Sequence, residues 1–243
     1  FDPWVSMLYA MPTIALGPLF ILWLGIGFAS KISIIVMIAI FAPWIAPQNP
    51  YDLVELDLMD GMLEPAAVGG SDFRYLLGTD EQGRDMLSAI LYGLRISLSV
   101  GVGAAALAFV TGATLGLIAA YFGGKVDSII MRWVDLQLSF PAILVALLIL
   151  AVLGRGVMNV VLALVIVEWA YYARTARAAA LVESSREYIE AAQCLALSTR
   201  RIIFRHLLPN CLPPLIVIGT MQVASSITLE ATLSFLGLGV PVT

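Results

Sequence analysis

Residues 186–210 read REYIEAAQCLALSTRRIIFRHLLPN, a polar, arginine-rich island between two long apolar runs. Ser184 and Glu187 stand at capping-box spacing, which predicts a helix start there. Ala191, Ala192 and Ala196 then set small side chains along the helix, where another protein surface could approach closely. Ser198 is placed to cap a second short helix over Thr199 to Leu208, with Pro209 as its stop. Two short helices at a sharp bend between membrane spans make a docking element. The plain alternative is an ordinary basic loop.

The rest of the chain excludes a soluble domain. Of its 243 residues, 60% are hydrophobic and 12% charged, and the mean hydropathy is +0.96. Soluble chains carry about 25% charged residues. The apolar runs reach the roughly 20 residues that a helix needs to cross hydrocarbon. The net charge of −4 hides a segregation: Asp52 to Asp85 holds nine acids against Arg74 and Arg84, whereas Arg174 to His206 holds six arginines against Glu183, Glu187 and Glu190. The positive-inside rule therefore places residues 174–209 in the cytoplasm and 48–94 outside. Cys194 and Cys211 both fall at the cytoplasmic side, so no disulfide framework is expected. The opening has no charged n-region, so no cleavable signal peptide is expected either.

Spans are predicted over Ile32 to Ala46, Arg95 to Phe122, Pro141 to Leu153, Val157 to about Tyr172, and Cys211 to Leu229. Gly112 and Gly116 form a GxxxG surface, with Gly101 and Gly103 above it. Between the second and third spans, a helix over Asp127 to Phe140 carries Arg132 and Asp135 at a spacing that allows pairing. Residues 48–79 read as an acidic loop with little regular structure. Asp80, Glu81 and Asp85 lack the ligand spacing of a calcium loop, so local pairing with Arg84 is the expected use. Glu168 is an acid inside a span, a functional candidate by default. It lies about 9 Å along a helix from Arg174, which favours a solvated or paired acid near the interface over a proton relay. His206, the only histidine, has no Cys or His cluster around it and reads as a loop anchor.

Glu190-Ala191-Ala192, followed by Arg201-Ile202-Ile203-Phe204-Arg205-His206-Leu207-Leu208-Pro209-Asn210, resembles the EAA loop of ABC importer permeases, and more narrowly their dipeptide/oligopeptide/nickel branch. FAPWIAPQNPYDL at 41–53, GTDEQGRD at 78–85, Tyr121 to Asp127 and Thr228 to Val240 are similar to the same branch. The resemblance implies an all-α polytopic membrane helix bundle of the type I ABC importer permease kind, with about five to six spans and the family's last span missing. It implies an ATPase-coupling loop carried by Glu187, Tyr188, Glu190, Ala191, Ala192, Ala196, Arg201, Arg205 and Pro209. The family has glycine where Ala196 stands, and a positive φ there would cost about 1 kcal/mol. The implied function is the permease subunit of an ATP-driven importer for peptides or a similar small solute, nickel included. Its implied partners are a second permease subunit, two cytoplasmic ATP-binding subunits, an extracytoplasmic solute-binding protein and membrane lipid, with no nucleic acid. The implied location is the bacterial or archaeal plasma (inner) membrane.

The opening reads differently. MPTIALGPLFILWLGIGFASKI at 11–32 resembles nitrate/sulfonate/taurine-type ABC permeases. Pro12 with Leu24-Gly25-Ile26-Gly27 also echoes Pro141 with Leu153-Gly154-Arg155-Gly156, at an offset of 129. Residues 1–36 are therefore expected to be a foreign helical segment joined ahead of a permease transmembrane domain at 37–243.

No GxxxxGK[ST], GxSxG or HExxH occurs, and no paired His/Cys set. No enzyme activity, cofactor or metal is expected, and import must use a separate ATPase. A non-functional fused fragment is the alternative, and an intramembrane enzyme a weaker one, since Glu168 stands alone. A membrane-impermeant thiol reagent on intact cells should label a cysteine at position 60 and spare one at 186. The reverse pattern would overturn the topology.

Overall fold

The structure, a computed structural model, describes residues 28–52, 54, 56–70 and 73–239. Most of the segment read as foreign, residues 1–27, lies outside the described residues. Among the described residues, besides a short 3-10 turn at Leu58–Asp60, seven longer helices follow in order: α1 (Phe28–Ile45), α2 (Met86–Phe122), α3 (Gly124–Ser139), α4 (Ala142–Leu153), α5 (Val157–Ser184), α6 (Glu187–Cys194) and α7 (Thr199–Phe235). Of these, α2, α5 and α7 are long and apolar enough to cross a membrane. The pair α3–α4 passes the same test together but is bent by 93°, and α1 contributes a shorter apolar stretch, Ile32–Ile45. Each expected span thus has a helix, but several boundaries differ for local reasons.

The helix α2 starts at Met86 rather than Arg95 because Asp85 caps it. The Asp85 carboxylate accepts from Ser88 N at 2.8 Å and Ser88 Oγ at 2.6 Å, the arrangement that satisfies first-turn N–H groups. The helix α5 runs past Tyr172 to Ser184, carried by Ala176, Ala178, Ala179 and Ala180, the residue type with the highest helix propensity. Pro209 does not stop α7. Residues Ile202–Leu207 form a π-helical turn, in which Leu208 N donates to Ile203 O. That widened turn makes room for the proline ring, and the helix continues to Phe235. Arg132 and Asp135 do not pair with each other. Asp135 instead pairs with Arg174 and Asp127 with Arg177, both on α5.

The described residues fall into two compact units that divide between Leu98 and Ser99. In the first, the acidic loop is ordered around Asp60. That carboxylate is buried and accepts from Gly70 N at 2.8 Å and the Tyr75 hydroxyl at 3.0 Å. Burial, then the bond to Asp60, pushes the Tyr75 phenol up to about 12. Asp80 accepts from the Gln82 and Arg84 amides and faces the Arg84 guanidinium at 3.9 Å. Asp52, Asp57, Asp60, Asp80 and Asp85 thus each accept from a nearby backbone amide. Because Asp60 is buried, the outside label belongs at its neighbour Met59, which is 90% exposed.

The second unit is built on α5. A Cβ at Gly112 would stand 2.2 Å from Trp169 O, and one at Gly116 would stand 2.3 Å from Ala173 O. The GxxxG surface is therefore the seat of α5 on α2. Gly101 likewise abuts Ile227 of α7, whereas Gly103 faces open space. Replacing Gly112 or Gly116 by valine should force the two backbones apart and lower stability by about 1–3 kcal/mol. Denaturant titration in detergent reads this, with Gly103→Ala as the neutral control; an unchanged midpoint for Gly116→Val would refute the seating.

Candidate functional site

The Arg186–Asn210 island folds as expected in outline and differently in detail. Ser184 belongs to the end of α5, where its hydroxyl donates to Leu181 O, so no capping box forms. The chain enters α6 through Arg186, which supplies no side-chain cap. The carboxylates of Glu187 and Glu190 lie in the first turn, where the helix dipole favours negative charge. Tyr188 donates to Glu183 Oε2 at 2.8 Å; burial, then this bond, pushes its phenol up to about 12.

The exit from α6 is a Schellman turn. Leu197 N donates to Ala192 O at 3.2 Å and Ala196 N to Gln193 O at 2.9 Å, with Ala196 left-handed at φ 51°. The residue standing in place of the family's glycine thus adopts the backbone that glycine favours. Ser198 occupies the N-cap position of α7, though its side chain makes no cap bond.

Two faces result. The inner one is apolar: Ile189, Ala192, Ile202, Ile203, Leu207 and Cys211 pack with Leu117 of α2 and Ala176 and Ala180 of α5. Ala192 is therefore not part of an approachable surface, and its small side chain serves packing within the chain. The outer face exposes Glu187, Tyr188, Glu190, Ala191, Ala196, Arg201, Arg205 and Pro209. Beside it, Ser198, Arg200, Arg201, Phe204, Arg205 and Pro209 line a groove of about 450 Å³. Sequence reasoning omitted Arg200 and Phe204. The apolar recurrence Ile202, Ile203, Leu207 and Cys211 carried the signal, since it turns those two side chains outward.

Glu168 is not solvated. It is 1% exposed, and its Oε1 accepts from Ser226 Oγ on α7 at 2.6 Å. Its Oε2 and the Gln222 Nε2 are buried without a hydrogen-bond partner. Arg174, six residues further along α5, pairs with Asp135 and not with Glu168. The acid thus ties α5 to α7, a link worth about 0.6 kcal/mol on average between membrane helices. His206 has its Nε2 buried without a partner, while its carbonyl accepts from Asn210 Nδ2 at 2.7 Å.

Residues 112–243 match the family described as binding-protein-dependent transport system inner membrane component. The chain is 41% identical over 208 residues to the di/tripeptide transport system permease protein DppC of Pseudomonas aeruginosa, covering 85% of this chain and 67% of that protein. It is 38% identical over 208 residues to the probable D,D-dipeptide transport system permease protein DdpC of Escherichia coli, covering 86% and 67%. The glutathione transport system permease protein GsiD of Pectobacterium atrosepticum is 38% identical over 214 residues, covering 88% and 69%. Among solved structures, the inward-facing MetNI methionine ABC transporter superposes with a TM-score of 0.57 at 20% identity, over 64% of this chain and 77% of that one.

Ala196→Gly should relieve the left-handed strain and raise stability by about 0.5–1 kcal/mol net of glycine's entropy. Ala196→Val should lower it. Thermal unfolding of the two variants reads the sign, and a stabilising valine would refute the backbone assignment.

Proposed function

This chain belongs to the family of binding-protein-dependent transport system inner membrane components, and on that basis we propose that it is the short-peptide permease subunit of an ATP-driven importer in a bacterial inner membrane. It is a multi-pass membrane permease with the importer fold. Relatives named for di- and tripeptides, D,D-dipeptides and glutathione support a cargo of two or three residues. The partners in this reading are a second permease subunit, two cytoplasmic ATP-binding subunits and an extracytoplasmic binding protein. The energy source is the partner ATPase, so the chain itself carries no catalysis. In this reading the permease body runs over 37–243, with 1–36 as a separate segment ahead of it.

The coupling element in this proposal is Arg186–Asn210. One observation carries it: an exposed acidic and basic outer face backed by a fully apolar inner one. A partner pressing on Glu190 and the Arg201–Arg205 groove would load α2, α5 and α7 together, because the inner face packs on all three. A two-state bundle biased by such a push is the form that coupling over distance takes. Glu187, Tyr188, Ala191 and Pro209 lie on the pressed face, while Ala192 acts beneath it.

Glu190→Arg should leave the bundle folded and ATP hydrolysis by the assembled transporter intact. Peptide uptake into proteoliposomes should fall by roughly 5- to 150-fold, the range of one coupling free energy. Uptake at the unmutated rate would overturn the assignment.

A further inference from the structure

The helix α3 stands between the second and third expected spans. It meets α4 at a bend of 93°, at Phe140 and Pro141. Its inner face is held on α5 by ion pairs from Asp127 to Arg177 and Asp135 to Arg174, with Val134 packed against Ala170 and Ala173. The two acids are about 12 Å apart along α3, whereas their arginines are about 4.5 Å apart along α5. The helix therefore crosses α5 steeply. It crosses at the level where the apolar run of α5 gives way to Arg174 and Arg177, and α4, also packed on α5, turns away from it.

The opposite face of α3 is an exposed apolar stripe, Val126, Ile129, Trp133 and Leu136, continued by Phe140 just past the helix end, all between 40% and 65% exposed. These positions repeat at alternating spacings of three and four, one side of a helix. Along one flank of the stripe run Lys125, Ser128, Arg132 and Ser139, all exposed. The cross-section thus has an ion-paired protein side, an apolar side, and a hydroxyl and cationic side between them. An amphipathic helix bearing Trp and cations in this order fits the boundary between headgroups and acyl chains.

We propose that α3 lies in the membrane plane at that boundary, its stripe covered by phospholipid acyl chains and Lys125 and Arg132 facing headgroup phosphates. The charge complementarity of the flank and the right-angle turn into α4 favour lipid over protein as the occupant. The inference rests on the reading that α5 crosses the bilayer with its arginines at the cytoplasmic face. The bond from Ser128 Oγ to Gly124 O at 2.9 Å lets the hydroxyl flank sit close to the surface without unsatisfied protons.

The test places a nitroxide at each stripe position in turn, in a Cys194→Ser, Cys211→Ala background of the full chain, reconstituted into phosphatidylethanolamine and phosphatidylglycerol vesicles. Depth is read from the ratio of oxygen to nickel-chelate relaxation. The five positions should lie at one shallow depth, about 5–10 Å into the interface, while labels at Leu144 and Leu148 of α4 deepen progressively. A depth that changes by about 21 Å from position 126 to 140 would mean a spanning helix and overturn the proposal. Stripe labels shielded from both reagents would mean a protein covers it, and would overturn it as well. If the α4 labels also show no lipid contact, the membrane reading fails instead. Should the labelled variants not fold, bromolipid quenching of the unlabelled chain against Trp133→Phe decides: the variant should lose a component quenched more by shallow than by deep bromines. An unchanged profile would refute the placement.

Discussion

Helices in lipid gain nothing by excluding water from one another, so this bundle depends on how closely its backbones approach. The approach is closest where Gly112 and Gly116 of α2 meet the Trp169 and Ala173 carbonyls of α5, with no room for even a methyl group. Around that seam the small residues continue: Ala108, Ala113, Ala173 and Ala176 are all buried. The long helix α5 is the shared partner, with α2 on one side, α7 on another and α3 and α4 along its length. Loosening the seam would remove the frame on which α7 and the Arg186–Asn210 island rest.

The stiffness of that loop follows from the same frame. Ile189, Ile202, Ile203 and Leu207 are each no more than 3% exposed, so the short helix α6 and the start of α7 move with the bundle rather than beside it. The Schellman turn at Ala196 and the π-turn at Ile202–Leu207 set the angle between them. Both are departures from regular helix, and both sit where the chain must present charge outward while keeping its apolar side down. A partner could thus transmit force through a surface made of few residues.

Several polar groups of the bundle join two helices, and others close bonds within one. Ser226 meets Glu168 across α5 and α7. Asp127 and Asp135 meet Arg177 and Arg174 across α3 and α5. Within α7, Ser234 donates to Glu230 at 2.7 Å. An unmatched charge is costly in hydrocarbon, so these pairings restrict which faces can turn inward.

Much was legible beforehand because it depends on composition and short spacing. Five apolar runs became helices, GxxxG marked a real seam, and the Arg186–Asn210 island stood out by charge alone. Ala196 could be flagged because glycine and alanine differ in a property of a single residue, their tolerance of positive φ. The rest required neighbours. Whether Ser184 caps a following helix or ends a preceding one depends on how far α5 extends. Whether Pro209 stops a helix depends on the turn before it, and an i,i+3 reading of Arg132 and Asp135 fails once α5 offers better partners. Ala192 looked like surface and is core, and Glu168 looked solvated and is buried, because burial is a property of helix packing and not of the residue. Local rules act over about four residues; which face points inward is decided by helices that meet from far apart in the chain.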